Sequence, residues 1–316
     1  MTYKRADLLQ TLFDSFAALT LRPGRIIVVD NGDDAIVGDM CLALEKTLSE
    51  DGVQVLYAPQ EKNSGGAGGF SEGTRIAYEC GAEWIWLMDD DVKVFPEALS
   101  VLRPWMDRAL EDEHRVIQCR RKNFDGSSFY WQYHFWEAPG IQSPIAPSAF
   151  AEDEPSRPMN TACFEGGLFH RSIIEQLGLP DPRFFIYSDD TVYGYLASKV
   201  TNPILIKDEL MQRTRTLAHF RIGAIRKLND TSDMTRYHIM RNRGYIARYL
   251  ALNNDYHPLT FKAGTGFTFC KELIRLLIGK NFKSGLKELR RGMKDAKTIQ
   301  HDSAWRPMSR IEGKGE

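Results

Sequence analysis

The sequence has no cysteine framework. Its five cysteines (Cys41, Cys80, Cys119, Cys163 and Cys270) are scattered, and no two form a C-x-x-C pair. That spacing excludes a disulfide scaffold and a zinc finger, and it fits a reducing compartment. No apolar run approaches the roughly 20 residues of a membrane span. Met1 is followed by polar residues where a secretory signal needs an apolar core. An excess of one charge is also missing: Lys+Arg 41 nearly balances Asp+Glu 42, so no global field points to nucleic acid. There is neither an internal repeat nor a low-complexity tract. What is left is a chain of 316 residues, 43% of them hydrophobic, enough for one large domain or a domain with an appendage. A cytoplasmic location is the expectation.

What is present is an alternation of periods. Ala6 to Leu19 carries apolar residues at helical spacing and ends at Pro23-Gly24. Arg25 to Val29 reads as a buried strand closed by Asp30-Asn31-Gly32, a turn signal. A helix from Ala35 to Leu48 and a strand from Val53 to Tyr57 follow. Next comes a Gly-rich segment, Asn63-Ser64-Gly65-Gly66-Ala67-Gly68-Gly69-Phe70, which leads into a helix through Tyr78. After a strand at Trp84, Pro96 suits the first turn of a helix to about Leu110, and Val116 to Cys119 is a further strand. Strands alternating with helices predict an α/β fold: a mainly parallel, doubly wound sheet covered on both faces. The chain opens on Thr2-Tyr3-Lys4-Arg5 directly before a helix, where such a fold expects a strand. We therefore expect a first strand to be missing ahead of Met1.

Trp84 to Val92, Trp-Ile-Trp-Leu-Met-Asp-Asp-Asp-Val, is the stretch on which function turns. A strand that ends in Asp89, Asp90 and Asp91 carries negative charge to the carboxyl edge of a sheet, where open α/β folds bind ligands. Adjacent carboxylates repel one another, so they need a cation or water. Alternation puts Asp89 and Asp91 on one side and Asp90 on the other. Oxygen ligands of this kind suit Mg²⁺ or Mn²⁺. A solvated acidic turn is the plain alternative.

From Lys122 to Asn160 the pattern breaks into an aromatic run, Phe129 to Trp136, and then prolines and acids. Order resumes at Thr161 to Phe169, which contains Gly166-Gly167, and a helix spans Arg171 to Leu177. Phe184 to Asp190 is a second apolar run ending in carboxylates, Asp189 and Asp190, before a helix from Thr191 to Ser198. Ile204 to Ile206 and Leu217 to Phe220 read as short strands. Helical spacing returns at Thr235–Leu252, Phe267–Leu277 and Lys283–Lys297. These give two expected regions, 1–222 for catalysis and 223–316 as a basic, amphipathic helical region. That basic face suits the surface of an anionic membrane, or it is an ordinary solvated face.

Together, Arg25 to Gly32, the Gly-rich segment and Leu87-Met88-Asp89-Asp90-Asp91-Val92 resemble the glycosyltransferases of family two, which have the so-called A-type α/β fold. Bacterial galactofuranosyltransferases are the most similar members and rhamnosyltransferases come next. The likeness covers roughly residues 2 to 250, and Thr2 to Arg5 resembles the end of the family's first strand. It implies a donor site formed by Tyr3, Arg5, Asp30, Asn63, Gly65, Gly66, Gly69, Asp89 and Asp90. Asp30 is either an acceptor for the base N–H or a turn residue. A lone Gly-rich loop suits a diphosphate but can equally be a flexible turn. The resemblance further implies a metal site of Asp89, Asp91 and His219 for Mn²⁺ or Mg²⁺, although a lone His in an apolar strand is often a core residue. Asp190 matches the family's catalytic base, with Asp189 as fallback, while either suits a helix N-cap. Trp131, Gly166, Gly167 and Arg241 are the acceptor-side candidates, and the aromatics equally suit a core beneath a long loop.

The implied activity is inverting, metal-dependent transfer of galactofuranose from UDP-galactofuranose to a growing glycan on a polyprenyl-type lipid. This would take place at the inner face of the cell membrane. The alternative donor is dTDP-rhamnose. A sugar-nucleotidyltransferase also uses an α/β domain with carboxylate-held Mg²⁺, but its Gly-rich loop follows the first strand, whereas here it follows Val53–Tyr57. The intact carboxylates Asp89, Asp91 and Asp190 argue against a non-catalytic glycan-binding module.

Overall fold

The computed structural model describes residues 1–129, 133–145, 150, 154–215, 219–222, 226–229, 231–278 and 281–309. For 133, 219–222 and 226–229 only the backbone is described. Trp131 and the side chain of His219 therefore lie outside the described residues.

The first half alternates as its hydrophobic periods require: α1 (Ala6–Ala17), β1 (Arg25–Asp30), α2 (Ala35–Leu48), β2 (Gln54–Pro59), α3 (Gly65–Glu79), β3 (Trp84–Trp86), β4 (Val92–Val94), α4 (Ala98–Arg108) and β5 (Val116–Lys122). In α1 the residues Leu9, Leu12, Phe13 and Phe16 recur every three or four positions and all four are buried. Each such side chain removed from water contributes about 1.5–3 kcal/mol. The Asp34 carboxylate starts α2 by accepting the Ile36 N–H. Pro96 lies two residues ahead of α4, whose N-cap is Glu97, so the proline shapes the turn and not the first helical position.

The middle of the chain is more ordered than its composition predicts. A hairpin of β6 (Tyr133–Trp136) and β7 (Ile141–Pro144) is followed by β8 (Ser156–Pro158), β9 (Gly167–His170), α5 (Arg171–Leu177), α6 (Asp189–Ala197) and β10 (Ile204–Arg213). Next come the ribbon of β11 (His219–Ile222) and β12 (Arg226–Asn229) and the helices α7 (Asp233–Leu252), α8 (Pro258–Ile278) and α9 (Phe282–His301).

β1 and β2 form a parallel pair. A second sheet runs β3-β9-β5-β10-β4, with β8 also beside β10. In it β5 and β10 are parallel, whereas β9, β4 and β8 run antiparallel to their neighbours. The α/β class with helices on both faces is what the structure shows. Successive strand residues serve opposite faces: Ile117 and Leu168 pack with α1, α2 and α4, while Val116 and Phe169 pack with α3, α5 and α6. Thr2 makes a parallel bridge with Asp30. The glycines expected in a loop lie inside the first turns of α3, and Gly65, Gly68 and Gly69 are buried.

Candidate active site

Two carboxylate groups meet at one edge of the second sheet. The first lies in the link between β3 and β4. Asp89 and Asp91 there approach Glu165, with one carboxylate oxygen of each within 4.8 Å of the others. Burial and the charges of Asp91 and Glu165 push the Asp89 carboxyl up to about 7. Asp90 points elsewhere. It is fully buried, accepts the Thr2 hydroxyl at 2.7 Å and pairs with Arg5 at 2.8 Å. Arg5 also reaches Asp91 at 3.4 Å.

Glu165 was not among the expected site residues. The Arg213 Nε donates to it at 2.9 Å, and Arg121, itself buried, lies 3.5 Å away. Burial alone would raise its pKa, but the two guanidinium charges outweigh burial and hold it below the usual carboxylate range. Gly166 turns the chain here at φ 93, and a Cβ at that position would meet the Met211 sulfur at 2.8 Å. Gly166 and Gly167 are buried and fix Glu165 just ahead of β9. The signal in the sequence was Glu165 itself, an acid between Phe164 and the two glycines. Three carboxylate oxygen donors are the chemistry that fits Mg²⁺ or Mn²⁺.

The second group stands at the N-terminus of α6. Burial and the charge of Asp190 push the Asp189 pKa well up, and the charge of Asp89 adds to this. The sites therefore face one another closely enough to interact. Asp190 Oδ1 accepts the Thr191 N–H at 2.6 Å and the Thr191 hydroxyl at 3.1 Å. Its pKa is also raised, by burial, with the Thr191 bonds opposing. Ahead of this pair the backbone is strained: Phe185, Tyr187 and Ser188 all have positive φ. Asn242 from α7 holds that turn, donating to the carbonyls of Phe184, Ile186 and Tyr187 at 3.1, 2.8 and 2.8 Å. Arg241 donates to the carbonyls of Arg183 and Phe184 at 2.7 and 2.6 Å.

On the other side, Asp30 accepts the N–H groups of Gly32 and Asp34 at 2.8 and 2.7 Å and the Tyr57 hydroxyl at 3.1 Å. Of its two open roles, the turn role is the one in place. An open cleft of about 450 Å³ lies beside it, lined by Lys4, Asp7, Gly32, Asp33 and Asp34. Tyr3 precedes the lining residue Lys4 and is exposed. Asn63 accepts the Gly65 N–H at 2.9 Å. Gly65 has φ 73, and a Cβ there would sit 2.0 Å from the Phe185 carbonyl oxygen, so the start of α3 and the Asp189 turn touch backbone to backbone. A Cβ on Gly69 would meet Met1 at 2.4 Å, whereas one on Gly66 would have Met1 at 3.4 Å. Of the aromatic run, Phe129 and Phe135 are buried and Trp136 is exposed.

An α/β sheet with carboxylates at this edge is the arrangement of the A-type class of glycosyltransferase fold, and the family and fold comparisons assign the chain to it. The chain belongs to glycosyl transferase family 2, whose profile matches residues 1–178. It is 27% identical over 204 residues to the galactofuranosyltransferase GlfT1 of Mycolicibacterium smegmatis, covering 60% of this chain and 61% of that protein. To GlfT1 of Mycobacterium tuberculosis it is 28% identical over 205 residues, 60% of each. The chain thus spans about three fifths of the length of the curated relatives it matches. The crystal structure of Staphylococcus aureus TarS 1-349 superposes with a TM-score of 0.55 at 13% identity, covering 95% of this chain and 88% of that one. A second TarS structure gives a TM-score of 0.51 at 14% identity, covering 93% and 53%. These last two show the fold alone.

Proposed function

We propose that the chain transfers a sugar from a nucleotide donor to a glycan acceptor with inversion, and that the donor is UDP-galactofuranose. The observation that carries this reading is the Asp89–Asp91–Glu165 cluster together with the Asp189–Asp190 pair, close enough for the charge of Asp89 to act on Asp189. A divalent ion bound by Asp89 and Asp91 would offset charge on the departing UDP. Asp190 takes the proton of the acceptor hydroxyl. The hydroxyl oxygen attacks the anomeric carbon from the face opposite UDP as the bond to phosphate breaks. One displacement with one base inverts the centre. Arg5, bridging Asp90 and Asp91, keeps the carboxylate link in register with the donor cleft. That the GlfT1 relatives are galactofuranosyltransferases supports galactofuranose.

The test is a panel of nucleotide sugars with release of nucleoside diphosphate as readout. UDP-galactofuranose should give acceptor-dependent release, and a chelator should stop it. Release from dTDP-rhamnose alone would move the reading to rhamnosyl transfer, and full turnover in chelator would remove the metal.

A lipid-linked acceptor is supported by α8. Among the described residues no helix is long and apolar enough to cross a membrane. Yet Leu259, Phe267 and Leu277 on α8 are 85%, 60% and 68% exposed, with Ile274 and Ile278 also open. Such a stripe beside Lys262 and Lys271 suits an anionic bilayer surface. Phe267→Ser/Leu277→Ser should reduce sedimentation with anionic vesicles. If the unaltered chain stays in the supernatant, the membrane reading is wrong.

A further inference from the structure

The β6–β7 hairpin reaches the Asp190 carboxylate through one side chain. Phe135 and Gln142 stand opposite one another in its register, so both side chains leave by the same face. That face lies on α6. Phe135 packs edge-on against Tyr195 with ring centroids 5.4 Å apart, and the Gln142 side-chain amide donates to the Thr191 hydroxyl. Thr191 and Tyr195 are four positions apart on α6 and share one helix face. The Thr191 hydroxyl in turn donates to Asp190 Oδ1 at 3.1 Å, the same oxygen that takes the Thr191 N–H at 2.6 Å. Two bonds to one oxygen fix the rotation of the carboxylate.

The hairpin is held in place at both ends. Asn160 brackets Phe135, accepting its N–H at 2.9 Å and donating to its carbonyl at 2.7 Å. At the tip, Arg243 of α7 is 3% exposed and donates to the carbonyls of Gly140 and, at 2.8 Å, Pro139. It also donates to the Phe261 carbonyl and the Thr265 hydroxyl of α8, both at 3.1 Å. These acceptors are all neutral, and the guanidinium works as a clamp between the hairpin and the two helices. Beneath α6 the Thr161 hydroxyl donates to the Thr191 carbonyl at 3.0 Å, so Thr191 is fixed as well.

A hydroxyl has one proton to donate and two lone pairs. A threonine in a helix can turn that proton onto a backbone carbonyl one turn back. With the Gln142 amide donating into the oxygen, the proton is directed to Asp190 instead. We propose that Gln142 is a positioning residue for the transfer reaction, resting on the reading of Asp190 as its base: it orients the Thr191 hydroxyl onto Asp190 and so holds the carboxylate in place to take the acceptor proton. The hairpin is thereby part of the base apparatus, and Arg243 ties it to α7 and α8.

A double-mutant cycle on the full chain tests this, with Gln142→Leu, Thr191→Val and the two combined. Gln142 is exposed, so the fold should tolerate the leucine. Each single change should lower kcat by about 10-fold, and the combination should fall no further than the larger single loss. UDP affinity should hold in all three, and Thr191→Ser, which keeps the hydroxyl, should retain the parent kcat. Losing a bond to the ionised carboxylate raises its pKa, so the acid limb of the kcat profile should move to higher pH. Asp189, Arg121 and Cys163 also face Asp190, and every variant retains them. The Thr191 amide shift, followed by NMR, should titrate with Asp190, and in Gln142→Leu it should move to higher pH in the same way without any turnover. A chain that turns over no nucleotide sugar would sink the transferase reading, while the amide titration still decides the contact. Losses that multiply in the combined variant, parent-like kcat in Gln142→Leu, a serine as impaired as the valine, or an unmoved Thr191 titration would each overturn the proposal.

Discussion

Asp189 and Asp190 are neighbours in sequence but are held differently. Asp189 is 8% exposed, and burial beside a second carboxylate raises its pKa well above the ordinary carboxyl value. Asp190 is less buried, and two hydrogen bonds from Thr191 favour its ionised form. Of the pair, Asp190 is the one whose ionised form has hydrogen-bond support from a side chain and a backbone N–H, so it is the base we propose. Asp190→Asn should lower turnover by about 10²–10⁴-fold, the range for loss of a general base. UDP affinity, read by calorimetry, should hold. A larger loss in Asp189→Asn than in Asp190→Asn would exchange their roles. Glu165 shows what single-residue reading misses. Its neighbours in sequence are apolar or glycine, and its two cationic partners come from β5 and β10, 44 and 48 positions away. Removing one partner from such a buried group destabilises by about 3–5 kcal/mol, so Arg213→Ala tests folding before it tests chemistry.

At the scale of elements, the turn from Phe185 to Ser188 matters most. Three non-glycine residues with positive φ each cost about 1–3 kcal/mol, and they persist only where the surroundings over-determine them. Here α7 supplies that determination through Asn242 and Arg241. Asn242→Ala removes the donor from three backbone carbonyls, that of Phe184 buried, and should destabilise the fold by about 1–3 kcal/mol. Because the turn aims Asp190, turnover should fall further than the folded fraction does, while UDP binding is kept. Turnover that tracks the folded fraction alone would reduce Asn242 to a structural role. This coupling explains what was readable in advance. The spans of α2 and α5, the strand into Asp89–Asp91 and the helix after Asp190 follow from local period and turn chemistry. The length of β10 did not, because Lys207, Asp208 and Glu209 interrupt its apolar run before it carries Arg213 to Glu165. The hairpin β6–β7 was hidden in the same way by prolines and acids. Asn242 was visible as a residue of a helical pattern, but its three partners lie more than fifty positions away.

For the molecule as a whole, α7 ties the C-terminal helices to the turn ahead of Asp189, and His238 links that contact to pH. It is buried on α7, stacks on Phe185 with ring centroids 4.8 Å apart, and its Nδ1 has no hydrogen-bond partner among the described residues. Burial, with the charges of Arg241 and Arg291, pushes its pKa down to about 4. In the unfolded chain the ring titrates near 6.5. Between those values the unfolded state binds the extra proton, so stability falls as pH drops through the window. It is complete above about pH 6.5 and is lost progressively toward pH 4, by an amount on the order of 1–3 kcal/mol. His238→Phe keeps the stack on Phe185 and removes the titrating group. Urea midpoints measured from pH 7.5 to 4.5 should converge for the two proteins from the alkaline side and separate on acidification. The variant should hold its midpoint while the parent loses ground. The raised carboxyls Asp89 and Asp189 work in the opposite sense, since they favour the folded state at lower pH, but both proteins retain them and they cancel in the difference. Parallel midpoint curves over the whole range would show that protonating His238 does not oppose folding, and that the turn ahead of Asp189 is held without it.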